Sequence, residues 1–183
     1  MGKRLITENL IFITYSGDKM VQDEISENAK KEYPIHYFTS PRRTISETDV
    51  VNFVNLVGLH EPFFIDMEFI KEQMDETHHR RFVPAPLTIS IGIGLVAPFI
   101  WGILQDVLKD EKTGPVGGMT GLNARIFQAV YPEDTIKVDL EISVREKTKK
   151  GHTLVNIRHI VKNQREEVVV DFLETALFMP PKE

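Results

Sequence analysis

Apolar residues recur at every second position over Ile136, Val138, Leu140, Ile142 and Val144, with charged or hydroxyl residues between them. That period of two puts one face of a strand in a core and the other in water. Residues 147–151 read as a turn. Leu154, Asn156, Arg158 and Ile160 then share one face, and Val155, Ile157, His159 and Val161 the other, which predicts a central strand. Asn163 to Glu166 turns again into the apolar run VVVDFLETALFM. The pattern is an antiparallel meander. A further strand is predicted upstream over Asn123–Ala129, followed by a turn over Tyr131–Asp134.

The earlier part of the chain has a helical period. Val50, Val51, Phe53, Val54, Leu56 and Val57 lie at spacings of three and four, giving one apolar face. Ser46 and Asp49 stand where a capping box would satisfy the first backbone N–H groups, and Gly58 is placed to end the helix in a left-handed cap. Pro62 is expected to keep the chain extended, and MEFIKEQMDE to begin a second short helix. No charge then interrupts residues 82–105, which predicts a long buried helix opened by Pro84 and Pro86 and closed by Lys109–Pro115. Its length would span a bilayer. Pro98, Thr88, Ser90 and the glycines within it favour the core of a globular domain instead, with Gly92 and Gly94 letting the sheet or another helix come close. The Gly-rich VGGMTG that follows reads as a loop. Residues 1–40 are mixed and polar, with a short helix at residues 24–32.

Composition narrows the function. The chain has 183 residues, 42% apolar and 27% charged, which suits one globular domain. A net charge of −5 argues against a sequence-independent grip on nucleic acid. The absence of cysteine removes thiolate nucleophiles, disulfides and Cys-ligated zinc. No histidine pair shares a helix face as metal ligands would, so neither metal nor cofactor is expected. The apolar patch Leu10–Ile13 is too short for a signal peptide, and a cytoplasmic location is expected.

Gly58-Leu59-His60-Glu61-Pro62-Phe63-Phe64-Ile65-Asp66 resembles the Gly-Asp-x-Asn-Pro-(apolar)-His-x-Asp signature of MaoC-like (R)-specific enoyl-CoA hydratases and dehydratases. Val130–Thr135 is similar to that family's Val-Tyr-Pro-Gly-Asp-Thr turn, and Asn163-Gln164 to its Asn-Gln-x-Gly-Glu hairpin. Phe82–Thr88 sits where the family has Ile-Val-His-Gly-Met-Leu-Thr. The resemblance covers residues 44–178. It implies an α+β hot-dog fold, a long helix wrapped by a curved antiparallel sheet, over residues 44–183. Residues 1–43 would then be an N-terminal extension packed on the domain or adding a strand or helix. It also implies an acyl-CoA thioester as substrate or ligand, and a homodimer or higher oligomer with its pocket between two units.

The same alignment removes the usual chemistry. The catalytic aspartate falls on Leu59 and the catalytic histidine on Phe64, and neither side chain can exchange a proton. Glu61, at the family's asparagine position and beside Phe63 and Phe64, is the candidate general base, its pKa expected to be raised by aromatic walls, with His60 holding water. Otherwise Glu61 caps a turn or pairs with Arg80 or Arg81. Ala85 takes the family's glycine position and offers an N–H to a thioester oxygen; Pro86 has none, so a second donor must come from Leu87 or elsewhere. Phe64 and Asp66 complete the expected substrate-binding set, although Asp66 also fits an N-cap. His78–Arg81 reads as a solvated turn or a phosphate contact. Three activities stay open: hydration or dehydration of an enoyl thioester, ligand binding without turnover, and thioester hydrolysis.

Overall fold

The computed structural model describes residues 33–181. The expected helix at residues 24–32, the Leu10–Ile13 patch and most of the N-terminal extension lie outside the described residues. Strands β1 (His36–Thr39) and β2 (Arg43–Thr44) come first, then helices α1 (Glu47–Val57), α2 (Pro62–Ile65) and α3 (Met67–Gln73). A 3-10 turn (Glu76–His78) leads to helix α4 (Ala85–Leu108). Strands β3 (Val116–Ile126), β4 (Thr135–Lys147), β5 (Thr153–Lys162) and β6 (Val168–Phe178) follow.

The strands form one antiparallel sheet in the order β1-β4-β5-β6-β3, with β2 paired to β4. Helix α4 lies across β4, β5 and β6. This is the expected α+β hot-dog arrangement. The alternating residues of β4, Ile136 to Val144, are all buried, as are Val155, Ile157 and Val161 of β5 and Val170 and Phe172 of β6. The opposite face is charged. Arg158 bridges Glu141 at 3.0 Å and Asp171 at 2.6 Å, and Lys162 meets Asp139 at 2.6 Å. At Gly92 an added Cβ would lie 3.3 Å from Val161 Cγ2 and 3.4 Å from Phe172 Cε1, so the absence of a side chain there lets α4 sit close on the sheet. A Cβ at Gly94 would meet nothing.

Three expectations change. VGGMTG is strand, not loop: the edge strand β3 pairs with β6 through two register shifts, and Gly118 at φ 130° supplies backbone that a side chain would disfavour. The strand ends at Ile126 and not at Ala129, because the Phe127 and Gln128 N–H groups both turn to the Val169 carbonyl. Helix α4 is not buried all round. Trp101 is 57% exposed and Phe99 40%, because the sheet covers one side only. The described residues of the extension are part of the domain: β1 pairs with β4 from His36↔Ile142 to Thr39↔Asp139, and Phe38 packs on Phe99.

Candidate functional site

Helix α1 begins and ends as its sequence dictates. The Ser46 hydroxyl accepts from the Asp49 N–H at 3.1 Å while Asp49 Oδ2 accepts from the Ser46 N–H at 2.8 Å, a reciprocal capping box. Gly58, at φ 70° and ψ 27°, ends the helix in the left-handed region and donates to the Val54 carbonyl. The Leu59 N–H reaches the same carbonyl at 3.0 Å, so residues 58–60 reverse tightly.

Pro62 does not extend the chain as expected. It opens α2, where its fixed φ and missing N–H suit the first helical position. Glu61 is the N-cap residue of α2, yet its side chain makes no capping bond. His60 and Glu61 are both exposed, so the aromatic walls expected around Glu61 do not enclose it. Neither Arg80 nor Arg81 pairs with it. Phe64 is half-buried against the core, and Asp66 caps α3, its Oδ1 accepting from the Glu68 and Phe69 N–H groups at 3.0 Å each.

Arg81 holds this segment in place. It donates to the Phe64 carbonyl at 2.8 Å and pairs with Glu47 in the first turn of α1 at 2.6 Å. Phe63 packs edge-on against Phe69 and Phe82, with centroids 5.1 and 6.2 Å apart. Phe82 in turn meets Tyr131, over which the Arg80 guanidinium lies at 4.6 Å. Burial pushes the Tyr131 phenol above its ordinary range, against the pull of Arg80. His78 contacts the Tyr131 hydroxyl, and His79 Nε2 the Met74 carbonyl at 3.0 Å. The His78–Arg81 stretch is therefore a connector whose side chains bond to its own domain. Phe63 and Phe64 are thereby tied to residues 81 and 82, just ahead of α4.

The first turn of α4 offers fewer donors than its sequence suggests. Ala85, the first helical residue, has an N–H with no carbonyl to bond within the helix. Pro86 has none. The Leu87 N–H, expected as a second donor, is taken by the Pro84 carbonyl at 2.9 Å, and the Thr88 N–H reaches the same oxygen at 3.1 Å. Leu87 itself is buried. One N–H, at the positive end of a 24-residue helix, remains available. Among the described residues no cluster of His, Asp and Glu could hold a metal.

Sequence gave no sign of the clamp from Arg81 to a main-chain oxygen, since nothing in a motif marks which carbonyl a guanidinium will find. It also gave no sign that His159 and Glu174, on neighbouring strands, would meet inside the core at 3.2 Å.

No family model and no curated protein matches the chain. Solved structures do. A monoamine oxidase regulatory protein from Archaeoglobus fulgidus superposes with TM-score 0.63 at 26% identity, over 80% of this chain and 90% of that one. A MaoC-like dehydratase from Rhodospirillum rubrum gives TM-score 0.56 at 17% identity, covering 81% and 93%. A (3R)-hydroxyacyl-ACP dehydratase complex from Mycobacterium tuberculosis gives 0.51 at 13%, covering 79% and 96%.

Proposed function

From the MaoC-like hot-dog fold that this chain has, we propose an acyl-thioester hydratase or dehydratase whose proton-handling groups differ from the usual pair. The observation that supports this reading is the tie of Phe63 and Phe64 to Phe82 and Arg81, just ahead of Ala85, whose N–H no helix carbonyl takes. That N–H faces the thioester carbonyl oxygen, where charge grows as the α-carbon becomes enolate-like, and the helix dipole favours that charge. Leu59 and Phe64 offer this chemistry only hydrocarbon. Glu61, exposed and with no capping bond, moves the proton between water and substrate, and His60 holds the water. Phe64 and Asp66 border the acyl group, Asp66 by fixing the start of α3.

A second copy completes the pocket. Edge strand β3 exposes Val116, Met119, Leu122 and Ile126, an apolar edge suited to pairing with its own symmetry mate in a continuous sheet. Acyl-CoA is the form of thioester proposed, as the sequence signature implies.

A second reading is favoured by the hydrocarbon at both dyad positions and by the open setting of His60 and Glu61: a protein that holds an acyl thioester without turning it over. A panel of enoyl-CoA and 3-hydroxyacyl-CoA esters separates the two. Hydration removes enoyl absorbance without releasing thiol, and Glu61→Gln abolishes it in a folded protein. Thermal stabilisation by the esters with no turnover leaves the binding reading. Thiol release identifies hydrolysis, and no stabilisation at all removes every thioester reading.

A further inference from the structure

The outer face of α4 is apolar and bare. Gly92 faces Val161 and Phe172 of the sheet. Trp101 follows about two and a half turns later, so it points directly away from the sheet, and it is 57% exposed. Gly94, Ala97, Pro98 and Gln105 share that side of the helix and are exposed as well. Added Cβ atoms at Gly94 and Gly102 would meet nothing within 4 Å, so the space above the face is open. No charge occurs on α4 before Asp106. An exposed tryptophan on an uncharged surface marks a place where something else packs.

The position of this face separates it from the surface given to a second copy. Phe99, two residues before Trp101, packs on Phe38 of β1 with ring centroids 5.1 Å apart. Strand β1 ends the sheet on the side opposite β3. Trp101 also lies about 24 Å along the helix from the Ala85 N–H, clear of the proposed pocket. The N-terminal extension, in contrast, joins the domain here. Tyr33 packs against the core and, with Pro34, lines a cleft with Asp106, Val107 and Asp110 at the end of α4. Asp106 is only about 8 Å along the axis from Trp101.

We propose that Leu10–Tyr15 of the same chain docks on this outer face of α4 and covers Trp101. Residues 9–17 are the longest uncharged stretch ahead of Tyr33, and the face is uncharged too. Leu10, Ile11, Phe12, Ile13 and Tyr15 are the apolar side chains that such a face takes out of water along with its own. Residues 16–32 supply more chain than the distance from Tyr33 to Trp101 requires. The extension thus serves as the cover that the one-sided sheet leaves the core helix without. This assignment is independent of the thioester reading, because it concerns the end of α4 remote from Ala85.

Trp101 is the chain's only tryptophan, so its fluorescence reads the cover directly. In the full chain its emission should be blue-shifted, shielded from acrylamide, and unchanged on dilution. Phe12→Asp should move the emission to the red and open Trp101 to the quencher, while circular dichroism and the melting transition stay those of a folded domain. Red, freely quenched emission in the native chain means a bare face and overturns the proposal, as does a blue shift that appears only with phosphatidylcholine–phosphatidylglycerol vesicles. Shielding lost on dilution gives the face to a second copy. Shielding that persists in both Phe12→Asp and Ile11→Asp gives it to another cover, and either result overturns the proposal. The chain has no cysteine, so Thr14→Cys takes a single thiol-linked acceptor for Trp101 emission and keeps the test open should the aspartate variants unfold. Energy transfer that survives mixing with excess unlabelled chain supports the proposal; transfer that is absent, or lost on mixing, overturns it.

Discussion

The Arg81 guanidinium donates to the carbonyl of Phe64 at 2.8 Å, tying that residue to the chain that leads into α4. Together with the Phe63–Phe82 contact, this bond holds residues 63 and 64 against the chain just ahead of α4. Losing a half-buried charged donor of this kind costs about 1–3 kcal/mol. Arg81→Ala should lower stability by that order in urea melts and weaken acyl-CoA binding by more than the stability loss alone would cause. Binding unchanged in the folded variant would mean the segment is not part of the site.

Restoring the absent dyad is a gain-of-function test. Leu59→Asp with Phe64→His puts a carboxylate and an imidazole at the two positions that the sequence resemblance aligns with the family's dyad. Hydration of an enoyl-CoA should rise at least tenfold over the native chain, in line with what a positioned acid or base contributes. The cost is the Phe64 packing against the core, roughly 2 kcal/mol. A well-folded double variant with no gain would show that the native cleft cannot align substrate and water.

The sheet was legible because period-two burial is written directly in Ile136–Val144, and α1 because Ser46, Asp49 and Gly58 are its caps. Helix α4 was legible as an element and misjudged in depth: an uncharged run cannot tell a helix covered all round from one covered on a single side. Strand β3 was hidden because Gly117 and Gly118 signal a turn locally, whereas pairing with β6 along a long edge overrides that preference. At the candidate site, the motif pointed to residues 58–66, of which the structure leaves His60 and Glu61 exposed. Which N–H groups stay free could not be read, since the Leu87 donor is lost only through the local geometry at Pro84. The His159–Glu174 contact depends on register between two strands, and that is set by the whole sheet.

Two turns that carry glycine in the family signature carry glutamate here. Glu133 has φ 76° and Glu166 φ 64°, both in the left-handed region that side chains disfavour. Glu133 is exposed, and it is held by its N–H to the Ile45 carbonyl at 2.7 Å, a bond glycine would keep. Glu133→Gly should therefore stabilise the fold by about 0.5–1 kcal/mol, relief of strain exceeding the added unfolded-state entropy. Glu166→Gly should gain less, because Glu166 pairs with Lys137 at 2.7 Å and Arg42 at 3.3 Å. Denaturant midpoints for the two variants check the order.

The α1 capping box gives the fold an acid-sensitive element. Burial pulls the Asp49 carboxyl upward, but hydrogen bonds from the Ser46 backbone and side chain and the Arg43 cation outweigh it, so its pKa is held below the ordinary Asp range. A depressed carboxylate stabilises the folded state fully above its unfolded pKa, and that contribution fades as pH falls from there through the folded value. The window is thus the acid side of the ordinary Asp range. Asp49→Asn should cost about 0.3–1 kcal/mol at neutral pH, the scale of a first-turn acidic residue at a helix N-terminus. On the acid limb the variant and native stabilities should converge, because protonation has already silenced Asp49 in the native chain. Parallel curves that never converge would show that the carboxylate charge plays no part in holding α1, and with it the segment that α1 delivers to the site.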